Sequence, residues 1–121
     1  MNTYPLRFEG ALGAQTIGVM VANSMWTRMR GLLARPALQS GEGMLLRSCN
    51  MVHTVGMRYP IDVVFLGRDG SVLKVAASVA PRRARSHWRA HSVLELAAGE
   101  AHRRGIGQGM RLPIESMQLL R

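Results

Sequence analysis

The sequence predicts an α+β domain dominated by strands, with two short helices covering an open face or end of the sheet. Three observations carry this expectation. Apolar residues alternate at period two over most of the chain. Glycines and an Asp-Gly pair sit between the alternating runs where hairpin turns need them. The pattern switches to helical spacing in only two places, at about 24–34 and 98–104.

The elements follow in order. Leu6 and Phe8, then Ile17, Val19 and Val21, alternate about Gly10 and Gly13 and read as an opening hairpin. From Asn23 or Ser24, either a fair N-cap, Met25, Met29, Leu32 and Leu33 recur at helical spacing, with Arg28, Arg30 and Arg35 on the other face. Pro36 ends this helix, because the residue before a proline is pushed out of the α region. Ser40-Gly41-Glu42-Gly43 is a loop leading into a short apolar strand at Met44 to Leu46. Arg68-Asp69-Gly70 joins a strand from Ile61 to Leu66 to one from Val72 to Val79, since Asp-Gly supplies the positive φ of a hairpin turn. Ser92 to Leu96 is a further strand. Ala98 to Arg104 forms a short helix stopped by Gly105, and Met110 to Ile114 forms a last strand.

Length and composition narrow the class. A chain of 121 residues fits one domain, 1–121, with a single core. Hydrophobic residues make up 47% and charged residues 19%, which fits a compact globule and not a disordered or fibrous chain. The longest apolar runs are a few residues, far short of the ~20 that cross a bilayer. The start, MNTYPLRFEGALG, lacks a basic segment followed by an apolar one, and a single cysteine cannot close an internal disulfide; both point to the cytoplasm. Lys and Arg number 16 against 7 Asp and Glu, a net charge of +9, and all but Lys74 of those cations are arginine. Such a surface attracts polyanions without naming one, and arginine richness can also follow from a GC-rich genome.

The run Cys49 to Leu66, CNMVHTVGMRYPIDVVFL, is the densest in chemistry. Together with Arg30-Gly31-Leu32-Leu33-Ala34-Arg35, Glu42-Gly43-Met44-Leu45, His53-Thr54-Val55-Gly56-Met57-Arg58, Pro60-Ile61-Asp62-Val63-Val64-Phe65-Leu66, Asp69-Gly70 and Leu94-Glu95-Leu96-Ala97-Ala98-Gly99, it resembles the DUF192 (UPF0127) family. The likeness spans roughly Ser24 to Leu112. It implies a small α+β domain, mostly antiparallel strands in a barrel-like sheet with two helices, and no established activity. The chain departs from many members in having Gly56 before the methionine, a short Met57-to-Pro60 connection, and GQGM at Gly107 to Met110 in place of a Gly-Asp.

Cys49 and His53 would be a good zinc pair by donor type. Four residues span about 6 Å on a helix face but ~13 Å along a strand, and Val52, Thr54 and Val55 favour strand or loop, so no metal or cofactor is expected. His53 and Asp62 are a second pair, because a loop through Pro60 could bring them near one another. A carboxylate beside an imidazole fixes its tautomer, as in general bases, whereas an aspartate after Pro-Ile commonly binds backbone N–H groups of its own loop. His53, Met57, Arg58 and Asp62 are therefore the candidate ligand-binding set. If Pro81 to Ser92, PRRARSHWRAHS, is extended, Arg83, Arg85, His87, Arg89 and His91 share one face, with Ala84, Trp88 and Ala90 on the other. With Arg82, these residues form a candidate polyanion-binding stripe, or else a charged edge that discourages sheet-to-sheet pairing while Trp88 packs inward. Gly105-Ile106-Gly107-Gln108-Gly109 follows a helix and precedes a strand, the reverse of a dinucleotide-binding turn. No nucleophile elbow, HExxH, Walker loop or paired CxxC occurs. The functional expectation is a small non-catalytic binding or accessory domain of unknown ligand and oligomeric state. Its alternatives are polyanion binding through residues 82–91 and a small enzyme using His53 and Asp62.

Overall fold

Residues 2–23 and 37–119 are described by the computed structural model. The helix expected at 24–34, and the Arg30 to Arg35 segment with it, lie outside the described residues. Among the described residues eight strands are present: β1 (Thr3–Gly10), β2 (Gly13–Ala22), β3 (Glu42–Arg47), β4 (Met51–His53), β5 (Ile61–Leu66), β6 (Val72–Val79), β7 (Ala84–Ser86) and β8 (Ser92–Ala97). Two four-residue helices, α1 (Glu100–Arg103) and α2 (Glu115–Gln118), follow.

Six strands form one mixed sheet in the order β1-β2-β3-β8-β5-β6, and β4 pairs with β7 in a separate ribbon. The β2/β3 pairing is parallel and the others in the large sheet are antiparallel. The sheet is open, with β1 and β6 at its edges, so the barrel-like expectation gives way to an open twisted layer. β8 and β5 are interior strands and are buried almost throughout, as strands covered on both faces must be.

Alternation along the strands divides the core. Leu6, Phe8, Ile17, Val19, Val64, Leu66, Leu94 and Leu96 face one side, where Ala101, Ile106, Leu112, Ile114 and Met117 cover them. Met20, Ala22, Met44, Leu46, Ile61, Val63, Phe65 and Val93 face the other, against Leu38, Val52 and Met57. The helix and C-terminal segment therefore lie on one face of the sheet, and the β4/β7 ribbon lies on the other.

The expected hairpins are present. β1 and β2 are joined through Gly10 opposite Gly13. The β5–β6 turn has Gly70 at φ 87°, with the Ser71 N–H donating to Asp69 Oδ1 at 3.0 Å. That bond holds the Asp69 carboxyl below its ordinary value. A Cβ on Gly70 would stand 2.0 Å from the Leu112 carbonyl oxygen, so the turn is also where the C-terminal segment crosses closely. The helix stop at Gly105 is a Schellman cap. Gly105 lies at φ 71° and its N–H donates to His102 O, while the Ile106 N–H donates to Ala101 O.

The strand expected at Met110 to Ile114 does not form. Arg111 makes a single bridge to Ser71, after which Pro113, lacking an N–H, and the turn at Ile114 lead into α2. Gly109 at φ 95° precedes this stretch, leaving too few residues for a ladder.

Helix α1 is fastened at its base by Glu100, which is 1% exposed. Its Oε1 accepts from the Gly41 N–H at 2.9 Å and from Arg104 Nε at 3.0 Å. Arg104 reaches on to Gln15 and Ser40, tying the helix to β2 and to the loop before β3. Burial alone would push the Glu100 carboxyl up. The Gly41 N–H, Arg104 and the Ser40 hydroxyl outweigh it and hold the group below the ordinary 4.5. A depressed folded-state value means that this stabilisation is present above pH 4.5 and is lost as pH falls through it toward the folded value. Glu100→Gln is expected to destabilise the protein by about 1–3 kcal/mol at pH 7, with the gap from wild type closing as pH falls below 4.5 in urea titrations across pH.

Candidate functional site

The sequence-derived set does not converge on one cleft. Asp62 is 1% exposed and lies opposite Leu96 on β8, so its side chain is on the sheet face that carries Val64 and α1. Met57 is buried among Val52, Ile61, Val63 and Phe65 on the other face. The sheet thus separates the two. Arg58 is exposed in the following loop, and His53 is half-buried at the end of β4, opposite Ala84.

Asp62 is occupied by architecture. Its Oδ1 accepts from the Ser78 N–H and its Oδ2 from the Ala101 N–H, both at 2.9 Å. The first bond serves a bulge: Ile61 pairs with Val79 and Val63 with Ala76, so Ala77 and Ser78 together oppose Asp62, with Ser78 at φ 48°. The second serves α1, whose N-cap is Gly99 in the left-handed region with no side-chain cap of its own.

Cys49 lies just before β4, where its Sγ donates to the Met51 carbonyl. Among the described residues, no group of three or more His, Cys, Asp or Glu side chains is placed to hold a metal ion. Glu95, which sequence reasoning met only as part of a family segment, is wholly buried in mid-sheet between Met44 and Val63. An acid flanked by two leucines in a central strand was the available signal.

The basic segment is extended only over Ala84–Ser86. Thr54, 1% exposed, fixes its start: the Arg83 N–H donates to Thr54 Oγ1 at 2.8 Å, and that hydroxyl donates to the Ala80 carbonyl at 2.7 Å. Arg82, at φ 62°, donates its N–H to the Thr54 carbonyl. Arg85 pairs with buried Val52 and leans toward the body, half-buried. The chain then turns, with the Ala90 N–H donating to His87 O and the Arg89 N–H to His87 Nδ1.

The turn reverses the expected facing. His87 packs its ring against Phe65, 6.3 Å between centroids, while Trp88 is 85% exposed. The Arg89 guanidinium lies 5.8 Å from the centre of the indole. Met51, opposite Ser86, is 55% exposed. The ribbon thus presents Met51, Trp88 and Arg89 at one end and Arg82 and Arg83 at the other. His91 is carried past the turn, where its N–H donates to the Leu66 carbonyl. It lines a separate cleft with Arg47 and Arg68.

An exposed indole in a loop of arginines is the surface's most unusual chemistry. Trp88 offers a flat apolar face for stacking, and Arg82, Arg83, Arg85 and Arg89 have no acidic partner among the described residues. No helix of the described residues is long and apolar enough to cross a membrane.

The family model for DUF192, described as "Uncharacterized ACR, COG1430", matches residues 8–114. The chain belongs to this family. No curated protein matches it. Among solved structures it is similar to a protein of unknown function from Novosphingobium aromaticivorans, at 25% identity and a TM-score of 0.78, over 91% of this chain and 84% of that one. It is also similar to a "putative transcription regulator" from Sinorhizobium meliloti, at 24% identity and a TM-score of 0.77, over 93% of this chain and 95% of that one.

Removing the Asp62 carboxylate would leave two backbone N–H groups without their acceptor. Asp62→Ala is expected to cost roughly 2–5 kcal/mol, and Asp62→Asn, which keeps one acceptor oxygen, to cost less. Thermal or urea unfolding reads the difference, and equal stabilities for the two variants would show that the paired bonds are not what holds the bulge and helix.

Proposed function

We propose that the protein is a non-catalytic binding domain that takes single-stranded nucleic acid on the β4/β7 ribbon and its turn. The observation that carries this reading is Trp88, exposed and overlain by Arg89 on a chain of net charge +9. A solvent-facing indole gives up no core packing when a base stacks on it, and base stacking on an aromatic side chain contributes ~1–3 kcal/mol per base. Arginines without acidic partners supply the sequence-independent attraction to phosphates. Thr54 and the His87–Phe65 contact support both ends of the ribbon, so the groups are held in place before a strand arrives.

A binder is favoured over an enzyme using His53 and Asp62 because both Asp62 oxygens are committed to backbone N–H groups. They also point to the sheet face opposite the ribbon that carries His53.

A fluorescein-labelled oligo-dT of about 16 nucleotides should bind at low salt, with log Kd rising linearly with log salt by ~0.7 per phosphate neutralised. Trp88→Ala should weaken binding about 5- to 150-fold, and Arg82→Ala combined with Arg83→Ala should flatten the salt dependence. No anisotropy change at low salt, or wild-type affinity in Trp88→Ala, would sink the proposal.

A further inference from the structure

We propose a second, separate site: the cleft between the end of β3, the β5–β6 turn and α2 binds a phosphate monoester. The cleft encloses about 380 Å³ and is lined by Arg47, Ser48, Arg68, His91, Glu115 and Gln118 among others. That volume exceeds a bare phosphate and falls within the size range of small-molecule sites, leaving room for an attached group of nucleoside size.

Its chemistry is that of donors. Arg47 is anchored in the wall by Asn23 Oδ1 and by the Met117 and Gln118 carbonyls, which fix its guanidinium in place. Arg68 projects from the exposed turn and has no acidic partner among the described residues. His91 is fixed at its backbone on both sides, donating to Leu66 O and accepting from the Cys49 N–H. Glu115, the one acid in the lining, is paired with Arg111 and so does not neutralise the cleft.

Two further features point to an absent acceptor. Gln118 Nε2 is shielded from solvent and has no hydrogen-bond partner among the described residues. Buried amide donors are almost always satisfied in native proteins, so an orphan N–H in a cationic cleft is available to the oxygen of a bound anion. Ser48, beside Arg47, is held at φ 51°, a left-handed conformation uncommon for a residue other than glycine, and its side chain borders the same cleft. The Arg68 guanidinium, an amide N–H and a hydroxyl match the several terminal oxygens of a phosphate monoester, which arginine binds through paired N–H donors.

This site does not depend on the Trp88 surface, and the two are tested apart. Inorganic phosphate titrated into the ¹⁵N-labelled full chain, at constant ionic strength, should shift the Gln118 side-chain amide and the His91 imidazole saturably. Acetate should not. Arg68→Ala, a change in an exposed turn, should weaken phosphate about tenfold, Arg68→Lys less, and Trp88→Ala not at all. Absence of saturable shifts, an equal response to acetate, or undiminished binding in Arg68→Ala would overturn the proposal. Two further probes identify the source of the phosphate. Tighter binding of 5′-phosphorylated than of 5′-hydroxyl oligo-dT, with the margin lost in Arg68→Ala, assigns the cleft to a strand terminus. Saturation by adenosine 5′-monophosphate without that margin assigns it to a free nucleotide.

Discussion

The buried carboxylate of Asp62 stands at the junction of three elements that could not otherwise meet. β6 needs a bulge to carry an extra residue past β5, and a bulge leaves an N–H without a partner in the ladder. α1 is four residues long and begins at a left-handed glycine, so its first N–H groups have nothing local to satisfy them. One side chain serves both needs, with an oxygen to each. A neutral or apolar side chain at this position would bury one or both donors unpaired, at a cost comparable to a large fraction of a small domain's stability. Glu100, the residue before Ala101, completes the junction, because its position in the first turn brings the loop before β3 and Arg104 together. The parallel β2/β3 pair is thereby linked to the helix and to the antiparallel half of the sheet.

With α1 and the C-terminal segment pinned on one face, the other face is left to the β4/β7 ribbon. A ribbon of three residues per strand is too short to be stable alone. It is held by what it buries, Val52 and the His87 ring against Phe65, and by Thr54, whose hydroxyl both accepts and donates. Those anchors face inward, which forces the turn that follows to point outward. Trp88 is exposed because its neighbour His87 takes the inward position. The prominence of the indole is thus a consequence of packing at the preceding residue, and it places a large apolar ring where only a ligand or partner could cover it.

Local signals made the hairpins and one helix end legible. Asp69-Gly70 marked its turn through the positive φ it permits, and Gly105 marked the helix stop for the same reason. What could not be read were relations between distant residues. Asp62 was visible as a carboxylate after Pro-Ile, where backbone bonding was the expected alternative to catalysis. Its actual donors, Ser78 and Ala101, lie 16 and 39 residues away. Met110 to Ile114 carries the apolar character of a strand, yet Pro113 and the crossing at Gly70 leave room for a single bridge. The facing of residues 82–91 failed for a related reason. The period-two rule holds only while the chain stays extended, and the turn at His87 to Ala90 contains neither glycine nor proline to announce it.

The arginine excess can now be divided by what each group does. Arg103 and Arg104 are bonded to Glu100, Arg111 to Glu115, and Arg47 to the carbonyls that begin the C-terminal end of the fold. These cations stabilise architecture, and a compositional bias toward arginine would account for them. Arg7, Arg58, Arg68, Arg82, Arg83, Arg85 and Arg89 are different, since no acid meets them among the described residues. Five of these seven are grouped: Arg68 sits in the donor-lined cleft with His91, and Arg82, Arg83, Arg85 and Arg89 lie along the ribbon that displays Trp88. Exposed like charges held close together repel and lower stability unless something anionic neutralises them. Base composition accounts for Arg7 and Arg58, which stand apart, whereas the grouping of the other five next to an exposed indole and an orphan amide donor is better explained by ligands.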